Sequence, residues 1–351
     1  MEFKRTIFIL AYVLTLMTAN LLYADQTLDE RSCTDVDVSE QLGPVRNQGN
    51  IGWCYANVAA DLLTFRYQDE LQGKQASAGY VAITFNQYTK LKANEDAGLI
   101  SPAVVFSQLN GICPQAFQDE ALKNSPYKTI RDQINALVAL KEQYDKQKKS
   151  KNIQGFTALD TYRDSKSYIN LLSDDELMAI LDNSSVRTFP RKLAARLCRP
   201  YMIRVRPDLK VRFQLGFLEG WLDAIPSFLK SGRMPSAKKL GKKDLVKEIH
   251  QELDKENFVA LSYWTRIFYV PGSEHYNKSG QHASGIVGRR WNKKERVCEL
   301  KLRNSWGNSC ASYLNPELKA KEKCDPKTGY IWIPDFIFER EITDVVYYTK
   351  K

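Results

Sequence analysis

Apolar positions recur at helical spacing in the first third of the chain and at strand spacing in the last third. Val58, Leu62 and Phe65 fall on one face of a helix over residues 55–67, with Cys54 at its start. Ile100 opens a second predicted helix, and residues 128–151 are charged and periodic enough for a third. Asp174, Asp175 and Glu176 form the acidic first turn of another. The most apolar stretch covers residues 213–229, with Phe217, Trp221 and Phe228 as expected core. Residues 231–241 read as a loop into a helix whose stripe is Leu245, Ile249 and Leu253; His250 neighbours that stripe, a partly exposed position. Strand patterning then takes over at residues 258–263, 267–270, 283–289, 297–302 and 330–333. The fold class expected from this order is α+β, divided as 25–125, a helix-rich insertion at 126–240, and a β-rich part at 241–351.

The first residues change the compartment. A basic start at Lys4 and Arg5, an apolar run and Ala24 before Asp25 read as a signal peptide, residues 1–24, cleaved after Ala24. The run is short for a membrane span, and no later segment is apolar enough for one. Export makes the seven cysteines meaningful. With Cys54 free, six remain (Cys33, Cys113, Cys198, Cys298, Cys310, Cys324), which allow fifteen complete pairings. Cys310–Cys324 is the best-supported pair, because it closes the polar loop between Trp306 and Gly329. The formal charge is +10, and nine Lys or Arg fall between Arg187 and Arg212. Without a recognition motif, that cluster reads as a solvated face and implies no specific nucleic-acid partner. No His/Cys group has ligand spacing, so neither a metal nor an organic cofactor is implied.

Candidate chemistry centres on Gln48-Gly49-Asn50-Ile51-Gly52-Trp53-Cys54-Tyr55-Ala56. A cysteine at a helix start meets the positive end of the helix dipole, which favours the thiolate, the nucleophilic form. Together with residues 43–49 just before it, this segment resembles the active-site segment of papain-like cysteine peptidases. Gly280-Gln281-His282-Ala283 and the following strand resemble that family's histidine strand, and Leu302-Arg303-Asn304-Ser305-Trp306-Gly307 its asparagine segment. Residues 329–333 are similar to the strand that follows. The resemblance implies Cys54 as nucleophile, His282 as general base and then acid, Asn304 as the group orienting the imidazole, Gln48 as oxyanion donor and Trp306 as cover over the Asn304–His282 pair. It also implies a two-lobed fold, helical lobe and antiparallel β lobe, and a polypeptide substrate.

Several features depart from the family. Its signature has a cysteine where Ile51 stands and a small residue where Trp53 stands. The Trp53 indole is therefore expected to narrow the site or to supply a substrate platform. His282 lies about 90 residues further from Cys54 than the family's roughly 130–150. Paired glycines for substrate backbone have no clear counterpart. The predicted cleavage site leaves no room for an N-terminal inhibitory segment, so the insertion is a candidate cover for the cleft. Of the three histidines, His275 sits in a polar turn and reads as solvated, which leaves His282 as the base. Two alternatives stay open: a catalytically silent binding module on the same fold, and a transamidase or ligase in which an amine, not water, resolves the thioester.

Overall fold

The computed structural model describes residues 28–89, 91, 93, 95–116, 118–119, 129–150, 172–205, 208–213 and 236–348. Residues 1–24, with the signal peptide expected there, and Phe217, Trp221 and Phe228 lie outside them. The described residues form a mixed helix-and-sheet fold. Its helices are α1 (Cys54–Arg66), α2 (Ala78–Tyr88), α3 (Ile100–Asn110), α4 (Ile130–Lys149), α5 (Asp174–Asp182), α6 (Phe189–Cys198), α7 (Lys242–Leu253) and α8 (Asp335–Glu341), besides single turns. The strands are β1 (Val36–Asp37), β2 (Leu209–Phe213), β3 (Ser236–Lys239), β4 (Val259–Trp264), β5 (Gln281–Asn292), β6 (Val297–Arg303), β7 (Ile331–Pro334) and β8 (Ile342–Tyr348).

One sheet contains all the strands in the order β3-β2-β8-β4-β5-β6-β7, with β1 on β5. Every pair is antiparallel except β2–β3. Strand alternation sorts its residues between two cores. Phe258, Ala260, Ala283 and Val287 join α1, α2 and α3 on one face. Val259, Leu261, Tyr263 and Ile286 join α7 and α8 on the other. A third, smaller core gathers Leu137, Leu140, Tyr144, Leu177, Leu181, Phe189 and Leu193 from α4, α5 and α6.

Local chemistry explains the helix starts. Ser77 caps α2 by accepting from Tyr80 N–H, Thr129 does the same for Asp132 in α4, and Ser173 with Glu176 closes a capping box on α5. Three disulfides join Cys33 to Cys298, Cys113 to Cys198 and Cys310 to Cys324, the last as expected, and Cys54 is free. No helix among the described residues is long and apolar enough to cross a membrane.

The structure corrects four local expectations. Residues 267–270 are not a strand; Thr265–Phe268 is a 3-10 turn, which places Phe268 in the core. The 231–241 loop contains β3. The basic cluster is not purely a solvated face, because β2 emerges from it with Leu209 and Val211 buried against β8. His250 is buried rather than partly exposed, because its Nε2 pairs with Asp335 of α8 at 3.2 Å. His250, Asp335 and Cys298 bring potential ligand atoms within 4.8 Å of one another, but Cys298 is already bonded to Cys33.

Candidate active site

Cys54 is the first residue of α1, and its cap residue Trp53 offers no side-chain acceptor to the first turn. Backbone N–H groups of Ala283, Tyr55 and Cys54 itself therefore remain to stabilise charge on the sulfur. The residue is half-buried, yet its sulfur is enclosed. Burial outweighs the three donors and pushes the thiol above its ordinary 9.0. The helix start favours the thiolate while enclosure opposes it, and on balance the thiol form gains. Ala283 and His282 are neighbours on β5, which is how the strand brings the imidazole to the nucleophile helix.

His282 is 6% exposed, and its Nε2 donates to Asn304 Oδ1 at 2.7 Å. That bond assigns the ring proton to Nε2 and leaves Nδ1 as the basic nitrogen. Burial lowers the imidazole from 6.5 to about 4, against a smaller upward pull from Asn304. The indole of Trp306 lies 5.0 Å from the imidazole centroid, and Tyr263 and Phe268 meet the imidazole nearly edge-on. Asn304 Oδ1 also accepts from Ser284 Oγ at 3.3 Å, and its Nδ2 donates to Tyr313 at 3.4 Å.

Gln48 is held from three sides. Its backbone N–H donates to Ser305 O at 2.8 Å, its Nε2 donates to Ile51 O at 2.7 Å, and Ser305 Oγ donates to its Oε1. One amide hydrogen remains for an acceptor outside this set, an arrangement suited to a preorganised oxyanion donor. Trp306 bridges Asn47, and Gly307 donates to Arg46 O at 2.9 Å, so the glutamine and asparagine segments run side by side. Gly307 turns with φ +74, and Gly329 packs so tightly on its carbonyl that a Cβ there would lie 2.3 Å from the oxygen.

A buried ion cluster fixes these segments to one another. Asp61, two turns along α1 from Cys54, accepts from Arg46 Nε at 2.7 Å and from Arg303 Nε at 2.8 Å. Arg46 precedes Gln48 and Arg303 precedes Asn304, so a single carboxylate ties the Cys54 helix to the segments that carry Gln48 and Asn304. Burial pushes Asp61 up, but Arg303 and Arg46 outweigh it and hold the carboxyl below its ordinary value.

Trp53 is not an exposed platform. It is 2% exposed and its Nε1 donates to Glu95 O at 2.8 Å, because the apolar indole packs into the helical core. Arg131 on α4 donates to Asn50 O at 3.2 Å and pairs with Asp96 at 3.1 Å, and Asp96 also accepts from Gly52 N–H. A cavity of about 420 Å3 lies beside Gln48, lined also by Arg46, Trp53, Asn57 and Asp119, but neither Cys54 nor His282 lines it. Sequence reading did not single out Asp61, Arg303, Ser284, Tyr263 or Tyr313. Their one local signal is adjacency: Arg303 precedes Asn304, and Ser284 shares a strand face with His282.

No family model matches the sequence, and no curated protein does. Solved structures do. Xylellain, a cysteine protease from Xylella fastidiosa, is 14% identical, with 93% of this chain and 91% of that one covered and a TM-score of 0.45. PepW from Lactobacillus rhamnosis is 14% identical over 99% and 91%, at 0.48. Digestive procathepsin L 3 of Tenebrio molitor is 10% identical over 93% and 73%, at 0.45. For this chain, the case for any chemistry rests on its own residues.

Proposed function

We propose that this chain is an exported cysteine-type peptidase that hydrolyses peptide bonds through an acyl-enzyme on Cys54. The observation that carries this reading is the hydrogen bond from His282 Nε2 to Asn304, which frees Nδ1 on the residue adjoining the amide at the Cys54 thiol. Burial favours the neutral form of both groups, so thiol deprotonation is coupled to attack. Nδ1 takes the proton as sulfur bonds to the carbonyl carbon, and the oxygen charge is met by the Gln48 amide and the Cys54 N–H. His282 then gives the proton to the departing amine. Water, activated by the same nitrogen, splits the thioester to acid and thiol. Trp306 shields the Asn304–His282 bond from competing water. Three disulfides support an oxidising compartment, and Arg131 supports the insertion as a wall over the loop before the nucleophile.

The test is labelling of purified, oxidised protein with an epoxysuccinyl thiol-protease probe. One label per chain at Cys54 is expected, lost in Cys54→Ala and His282→Ala, with the rate falling on acidification around pH 4 as His282 takes a proton. Gln48→Ala should lower turnover about 100- to 1,000-fold. Absence of labelling on folded protein would select the silent-module alternative. Product masses with and without added amine separate hydrolysis from transamidation.

A further inference from the structure

Behind the imidazole, two more hydroxyls continue the chain of hydrogen bonds into the sheet. Ser284 lies two residues beyond His282 on β5 and so on the same face; Tyr263 of β4 stands directly opposite His282. The Tyr263 hydroxyl meets Ser284 Oγ at 2.8 Å, and Ser284 Oγ reaches Asn304 Oδ1 at 3.3 Å. Both residues are almost wholly buried. Burial raises the Tyr263 hydroxyl well above 10.0, so it keeps its proton.

We propose that Ser284 and Tyr263 are positioning residues that fix the amide orientation of Asn304, and through it the tautomer of His282. The inference rests on the peptidase reading of the site but concerns an atom-level property measurable without turnover. Asn304 must present oxygen, not nitrogen, to the imidazole. With the amide reversed, its Nδ2 would donate to His282 Nε2 and to Ser284. The ring proton would then sit on Nδ1, the nitrogen needed to receive the thiol proton. Ser284 would have to turn its hydroxyl toward Tyr263, and the Tyr263 proton would be left without an acceptor in a dry site. With Asn304 Oδ1 toward the imidazole every proton in the line has an acceptor: Tyr263 can donate to Ser284, Ser284 to Asn304 Oδ1, and His282 Nε2 to the same oxygen. Tyr313, at 3.4 Å from Asn304 Nδ2, holds the amide from the other end.

The experiment combines imidazole nitrogen–proton NMR with steady-state kinetics on the full chain. The three histidines make assignment direct, with His250→Gln and His275→Gln as references. Wild type should show His282 in the Nε2–H form. Ser284→Ala should mix in the Nδ1–H form and lower kcat about 10- to 100-fold, with KM changed less than threefold. Ser284→Thr, which keeps the hydroxyl, should restore both. Tyr263→Phe should act in the same direction; if that core substitution fails to fold, Ser284→Ala decides alone. A folded Ser284→Ala protein with the wild-type tautomer overturns the inference. Failure of the peptidase reading looks different: an unlabelled Cys54, with the tautomer still responding to Ser284.

Discussion

Two aspartates, both sealed from water, have opposite fates. Asp61 stands at the seam between α1, the Gln48 segment and β6, and two arginines hold its carboxyl below the ordinary range against the effect of burial. Asp344 lies on β8, within the sheet, where burial pushes it from 3.8 to about 6 while the Ser262 and Thr343 hydroxyls pull it only part of the way back. Burial is similar; the supply of cations is not. The seam uses a buried charge to join distant segments, whereas the sheet merely tolerates one.

The largest effect expected from breaking this contrast is at Asp61. Asp61→Asn leaves Arg46 and Arg303 buried without their shared carboxylate and should destabilise the protein by about 3–5 kcal/mol, read by denaturant unfolding. Epoxysuccinyl labelling of Cys54 should weaken in the same variant, since α1 and the Gln48 and Asn304 segments lose their common anchor. Asp344→Asn should do the reverse. Its folded-state value lies above the unfolded one, so the ionised carboxylate opposes folding above about pH 6 and has no effect below about pH 3.8. Unfolding at pH 8 should show a gain of about 3 kcal/mol that vanishes at pH 3. Asp61 has the opposite sign: its contribution is complete above its unfolded value and is lost as pH falls through the lower folded one. The smallest effect is expected between α4 and α5, where Lys148 and Asp182 pair while about half exposed. Lys148→Gln should change stability by no more than about 1 kcal/mol, and a larger loss would erase the distinction between sealed and wet ion pairs.

Legibility in the sequence followed the range of the interactions. The acidic start of α5 and the β5 and β6 strands are local patterns, and each left its own mark. The 78–88 helix is buried along most of its length, so it has no polar face to give a period, and β2 was masked by the charges around it. Asp61 and Arg303 meet across 242 positions, and nothing near either residue announces the other. Trp53 misled because its position beside Cys54 suggests exposure, whereas the fold turns the indole inward to Glu95. The meeting of His282 with Asn304 could be anticipated only through the resemblance of their short segments to a known family. The hydroxyls behind Asn304 could not, because their roles exist only once β4, β5 and β6 are side by side.

Two of the three disulfides are nested. The Cys33–Cys298 bond spans 265 positions and encloses the Cys113–Cys198 bond, which spans 85. A backbone cut anywhere between residues 33 and 298 therefore leaves both fragments on one molecule, still joined through Cys33 and Cys298. For an enzyme proposed to cut polypeptides, in a medium where its own copies are the nearest chains, this is tolerance of self-inflicted damage: a nicked molecule keeps its Cys54 fragment tethered to its His282 fragment and comes apart only when reduced.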